Sequence, residues 1–228
     1  MTRTFIDDDI DRRTITIFLA ALVCLWGAHF GVQWAPNSFT RLTEMSWWAA
    51  TQIVFYLVVP MIALAFVGGR PGDVGWKLRG IGSHWRPYGV IFAVASPFVV
   101  IASRTAEFQD RYPLYEIYPG QFGVWGDLAV WWPLYVLQFV AIESFFRGFL
   151  VLGLGRRLGA VSVLVATVPY LMIHLVKPPV EALASIVGGL VMGTLAWHTK
   201  SIWWGVAVHV GVAMSMDLLS LGHKGFLW

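Results

Sequence analysis

Cysteine and charge are both scarce in this sequence. The 228 residues include one cysteine, Cys24, so a disulfide within the chain is excluded. Charged residues make up 13% of the chain against 57% hydrophobic residues, a balance that excludes an ordinary soluble domain. The net charge is only +3 and the basic residues form no stripe, so nucleic acid is not an expected partner.

The hydrophobic residues are gathered in runs long enough to cross a bilayer, which requires about 20 mostly apolar residues per helix. These runs predict an all-α, polytopic membrane bundle of about seven transmembrane helices in a single domain, residues 1–228. The predicted spans are residues 14–34, 46–67, 87–103, 129–154, 159–175, 180–197 and 202–221.

The basic residues outside the spans are unequally distributed. With a cytoplasmic N-terminus, ten Lys and Arg residues lie inside, five lie outside, and Arg147 lies within a span. Cytoplasmic loops carry the excess of basic residues, so we predict this orientation with an external C-terminus. Residues 7–11 carry four aspartates, which is unlike a secretory signal, and the first span is expected to be retained. Residues 104–127 are predicted to form an external loop with a short surface helix.

Ionisable side chains inside the spans are the first candidates for function, because they are costly at membrane depth. Glu143 and Arg147 are four residues apart in the fourth span, so we expect them to pair on one helix face. A buried structural salt bridge explains that pair equally well. His174 ends the fifth span, and His209 lies deep in the seventh, where only a bundle interior or a wet cavity tolerates it.

Two further carboxylates are candidates of second rank. Glu181 is predicted in the first turn of the sixth span, where the helix dipole favours a negative charge without any catalytic role. Asp217 follows His209 by two helical turns, about 12 Å along the axis.

Three segments around these groups occur in a characteristic order. Residues 142–148 read Ile-Glu-Ser-Phe-Phe-Arg-Gly, and residues 170–174 read Tyr-Leu-Met-Ile-His. The third segment, residues 201–209, ends in His209. The first resembles the Glu-Glu-x-x-x-Arg motif of the CAAX prenyl protease and bacteriocin-processing (Abi) family of intramembrane proteases. The second resembles that family's Phe-x-x-x-His motif, with tyrosine in place of phenylalanine. The resemblance covers residues 127–221 and defines a family-like catalytic core.

The resemblance implies an intramembrane endopeptidase of the bacterial inner membrane that hydrolyses a membrane-embedded or lipidated peptide. Glu143 or His174 would activate the attacking water, Arg147 would hold Glu143 ionised, and His209 would polarise the carbonyl. Glu143, His174 and His209 are expected to share one hydrated cavity. A divalent metal such as zinc is left open, because these three are suitable ligands but lack the His-Glu-x-x-His spacing.

Two motif positions depart from the family's pattern. Ile142 replaces the first glutamate, and Ala213 replaces the Asn or Asp that completes the family's oxyanion site. Both losses favour an alternative, a catalytically inactive member that acts as a membrane binding, sorting or assembly factor. The retained charged groups favour the peptidase, since a scaffold has little reason to keep them at membrane depth. A small transporter is the third hypothesis, and no inverted repeat supports it.

Overall fold

The computed structural model describes residues 11–37, 40–78, 80–115 and 122–227. Within these residues the chain is helical and contains no strand, which confirms the predicted all-α membrane bundle. Most of the acidic leader and the middle of the predicted external loop, residues 116–121, lie outside the described residues. The loop residues before that gap include the short helix expected there, Ala106–Arg111.

The α-helices of the described chain are numbered in order. They are α1 (Arg12–Gly31), α2 (Arg41–Ile53), α3 (Val59–Phe66), α4 (Trp85–Ala102), α5 (Ala106–Arg111), α6 (Gly123–Glu143), α7 (Gly153–Leu158), α8 (Val161–Met172), α9 (Pro179–Thr199) and α10 (Trp203–His223).

Six helical stretches of the described chain are long and apolar enough to cross a membrane. They are Arg12–Trp34, Leu42–Phe66, Trp85–Ala102, Gly123–Leu158, Pro179–Thr199 and Trp203–His223. Each overlaps a predicted span, whereas the predicted fifth span contains only the 12-residue helix α8. Its apolar run continues past Met172, but residues 173–176 form turns ahead of Pro178 and Pro179.

Two of the long stretches contain a π-helical segment. Val54–Val58 joins α2 to α3, and Ser144–Leu152 joins α6 to α7, so that Gly123–Leu158 is one continuous helical stretch. Segments of this kind occur frequently at functional sites. The second begins directly after Glu143, the last residue of α6.

Small residues bring α8 and α9 into close contact. A Cβ added to Gly189 would lie 2.9 Å from Cγ2 of Thr167, and one added to Gly193 would lie 2.9 Å from Cγ1 of Val163. Glycine therefore permits the close packing expected of small residues on a membrane helix face. Helix α10 packs against α4 and α6, and α6 also contacts α2.

Candidate active site

A cavity of about 740 Å³ lies within the bundle, with walls contributed by α1, α2, α6, α8, α9 and α10. Its lining is mostly apolar. The residues of functional interest that line it are Gln138, Ile142, Tyr170, His174, Glu181, His209 and Ala213.

Glu143 and Arg147 form a buried charged pair beside the cavity. The two residues are 0% and 2% exposed, and Nη1 of Arg147 lies 3.4 Å from Oε1 of Glu143. The other carboxylate oxygen faces α10 at Gly205, where an added Cβ would collide with it. The pair expected from the four-residue spacing is therefore present, and it lies at an interface between helices.

The expectation that Glu143 shares one cavity with His174 and His209 is not met. The two histidines line the cavity and Glu143 does not. Successive residues of an α-helix are rotated by about 100°, so Glu143 and Ile142 face different directions. The π-helical segment begins only at Ser144, too late to turn Glu143 towards the cavity. Ile142 consequently occupies the wall where the family pattern has a glutamate.

Both ring nitrogens of His209 are engaged. Nδ1 lies 2.8 Å from Oε1 of Glu143, and Nε2 lies 2.9 Å from the hydroxyl oxygen of Tyr170. Nδ1 faces the carboxylate, and Nε2 is hydrogen-bonded to the Tyr170 hydroxyl in either tautomer. His209 therefore has no N–H left to donate to an oxyanion in the cavity.

Tyr170 connects the charged pair to both histidines. The Arg147 guanidinium carbon lies 4.0 Å from the centroid of the Tyr170 ring, a cation–π contact. The backbone carbonyl of Tyr170 lies 2.8 Å from Nδ1 of His174. When Nδ1 donates to this carbonyl, the lone pair of His174 Nε2 is left for a molecule in the cavity. Tyrosine at the motif's phenylalanine position was the only sequence signal for this hydroxyl.

The residues present do not fit a zinc site built from Glu143, His174 and His209. In the part of the chain that the structure describes, no three His, Cys, Asp or Glu side chains are grouped to hold a metal ion. Both nitrogens of His209 are occupied by Glu143 and Tyr170, and Glu143 is already paired with Arg147.

The two carboxylates of second rank have different surroundings. Glu181 lines the cavity. Its two carboxylate oxygens lie 3.1 and 3.0 Å from the Tyr112 hydroxyl, which donates to them, and Nζ of Lys177 lies 2.5 Å from Oε1. Burial, with the nearby Glu181 charge, raises the pKa of Tyr112, so its hydroxyl stays a donor. Asp217 is fully buried outside the cavity lining, and its Oδ2 accepts a hydrogen bond from Trp132 Nε1 at 3.2 Å.

The fold and the site define a polytopic membrane protein with a histidine-lined cavity beside a buried glutamate–arginine pair. Residues 124–215 match the Rce1-like family model, described as type II CAAX prenyl endopeptidase Rce1-like. The match confirms the family resemblance and gives this membrane protein a protease-family segment. That segment contains all three motifs, with Ile142 and Ala213 at their divergent positions. The chain has no significant match among curated proteins or solved structures.

Proposed function

We propose that this protein binds a membrane-embedded or lipid-linked peptide in its cavity and does not cleave it by glutamate-activated water. One observation carries the proposal, the presence of Ile142 and Ala213 on the cavity wall. A general base must lie within hydrogen-bond reach, about 3 Å, of the proton that it takes. Isoleucine and alanine supply neither a base nor an oxyanion donor. The function is then binding, sorting or assembly of the peptide.

The size and lining of the cavity support a ligand of this kind. Its volume of about 740 Å³ is sufficient for a substantial organic ligand. Apolar residues from several helices line it, among them Leu25, Val212 and Met216. Such walls suit an acyl or prenyl chain, or the apolar side chains of a membrane segment.

The buried charges have a role that does not require hydrolysis. Glu143 lies on α6, contacts Arg147 in the following π-helical segment, and contacts His209 on α10. His209 in turn is hydrogen-bonded to the hydroxyl of Tyr170 on α8. These contacts join three helices around the cavity, and loss of one partner would leave another charge buried without compensation. Retention of the charged groups is therefore explained by the architecture of the binding site.

A peptidase is the second candidate function, and His174 is the observation that favours it. His174 lines the cavity, and its Nε2 has no hydrogen-bond partner among the described residues. A neutral imidazole in this position has a lone pair that can accept a proton from water. In that case His174 alone would activate the nucleophile, because Glu143 does not reach the cavity.

The test is to measure binding and cleavage separately in lipid nanodiscs. A short fluorescent peptide with an S-prenyl cysteine is the probe, with anisotropy reporting binding and mass spectrometry reporting products. We expect saturable binding of a peptide that stays intact, and cleavage only when Ile142→Glu and Ala213→Asn are combined. Cleavage by the wild-type protein that disappears in His174→Ala would establish the peptidase instead. Absence of binding by the wild-type protein would contradict the proposed function.

We also propose that the protein lies in the bacterial inner membrane with its N-terminus in the cytoplasm, and that residues 127–221 form its functional core. The ten-to-five distribution of basic residues supports the orientation. The family match at residues 124–215 supports the position of the core.

A further inference from the structure

Gln138 is a buried side chain in the cavity wall that no other part of the described chain satisfies. It lies on α6 one turn before Ile142 and is 3% exposed. Its Oε1 is enclosed without a hydrogen-bond partner, and no described residue bonds its amide nitrogen. An entire primary amide is therefore left unpaired in the wall of a mostly apolar cavity.

Such an arrangement is costly unless a ligand or water completes it. An unpaired buried polar group costs about 1–3 kcal/mol, and most buried polar groups in folded proteins are paired. A second glutamine of the cavity, Gln52, shows the usual solution, because its Nε2 donates to the backbone carbonyl of Ala28 at 3.3 Å. Gln138 makes no equivalent hydrogen bond within the described residues, and the surrounding bilayer offers no hydrogen-bond partner.

The chemistry of the side chain indicates what would satisfy it. A primary amide carries an acceptor oxygen and a donor NH₂ group, which together match the N–H and C=O of a peptide backbone. A hydrocarbon chain satisfies neither group, and an ester supplies an acceptor but no donor. The unpaired Nε2 of His174 adds one more acceptor to the same cavity.

We propose that Gln138 holds a backbone amide of the bound chain, so that the ligand must be a peptide and not an ester lipid. The inference rests on the proposed binding function and names the polar group that the site recognises. Gln138 is then the polar anchor of an otherwise apolar site, on the helix face that also carries Ile142.

The test combines a ligand series with one substitution. The prenylated fluorescent peptide is prepared with each backbone amide replaced in turn by an ester, which removes one N–H and keeps the chain length. For wild-type protein we expect one position at which the ester weakens binding roughly fivefold, about the value of one hydrogen bond. In Gln138→Leu that position should lose its effect, and the all-amide peptide should bind no more tightly than the ester binds to wild type.

Gln109→Leu is the matched control, because Gln109 donates to the Ser103 carbonyl and does not line the cavity. It should preserve the difference between amide and ester. Gln138→Leu should also melt at the same temperature as wild type or higher, since it removes an unpaired group. Ester effects that are equal in wild type and Gln138→Leu would overturn the inference while leaving peptide binding intact. Absence of binding for every peptide would instead remove the proposed function on which it rests.

Discussion

Oε1 of Glu143 on α6 lies 2.8 Å from Nδ1 of His209 on α10, at a point where Gly205 lets the two helices approach. The contact holds the imidazole in one orientation and directs its other nitrogen to Tyr170. A carboxylate from the first motif therefore acts on the cavity only through a histidine of the third motif.

Gly205→Ala should disturb the charged centre without changing any polar group. An added Cβ would collide with Oε2 of Glu143, which is itself fully buried. We expect a loss of about 1–3 kcal/mol in unfolding free energy, typical of overpacking, measured by thermal or detergent unfolding. Gly188→Ala on α9 is the control, because a Cβ there meets nothing within 4 Å. Equal stability of the two variants would contradict the close approach of α10 to Glu143.

Arg147→Ala should be more damaging than removal of the whole pair. The single change leaves the Glu143 carboxylate buried without its arginine. We expect it to lower the free energy of unfolding by about 3–5 kcal/mol. Glu143→Leu combined with Arg147→Met replaces both charges by apolar groups and should be milder. Folded yield and unfolding midpoint measure both effects.

A control for this comparison is Lys177→Ala, which breaks the partly exposed pair with Glu181. That pair should contribute less than about 1 kcal/mol to the free energy of unfolding, as surface ion pairs do. If the single Arg147 change and the double change are equally destabilising, Glu143 and Arg147 do not stabilise each other.

Tyr170→Phe should free Nε2 of His209. The phenol is its hydrogen-bond partner, at 2.9 Å, and phenylalanine keeps the ring beneath Arg147. Loss of one hydrogen bond of about 1 kcal/mol should raise the rate of acylation of His209 by diethyl pyrocarbonate about fivefold, measured by mass spectrometry. His174 serves as an internal reference, because its partner is the backbone carbonyl of residue 170. Tyr135 also lies in the cavity wall, and Tyr135→Phe should leave the acylation rate of His209 unchanged. An unchanged acylation rate in Tyr170→Phe would show that the phenol does not hold Nε2.

Much of the fold could be predicted from the sequence because the bilayer sets the length of a membrane helix. Six long spans appear where the apolar runs are, with ends shifted by only a few residues in most of them. Helix α8 is the exception, since hydropathy does not record that the chain turns after Met172. The π-helical segment after Glu143 also has no signature in the pattern of apolar residues.

The site was predictable where it depends on spacing along one helix and not where it depends on contacts between helices. The pair of Glu143 and Arg147 follows from a four-residue separation. Which helix face meets the cavity depends on tertiary packing, so the placement of Ile142 there and of Glu143 against Gly205 required the structure. Gln138 was overlooked for a related reason, because a neutral amide does not stand out among ionisable groups.

The orientation in the membrane gives the last prediction. With a cytoplasmic N-terminus, residue 83, between α3 and α4, lies inside, and residue 107, on α5, lies outside. If the short helix α8 also crosses, residue 160 lies inside and residue 176 outside. All four positions are exposed in the structure, so cysteines placed there are open to reagents.

The measurement is labelling of whole cells with a membrane-impermeant maleimide in a Cys24→Ala background, which removes the only native cysteine. Glu107→Cys and Val176→Cys should react in intact cells, whereas Ser83→Cys and Ala160→Cys should react only after permeabilisation. Labelling of Ser83→Cys from outside would reverse the orientation drawn from the basic residues. Labelling of Ala160→Cys and Val176→Cys from the same side would show that α8 enters the membrane without crossing it, and the bundle would then have six crossings in place of seven.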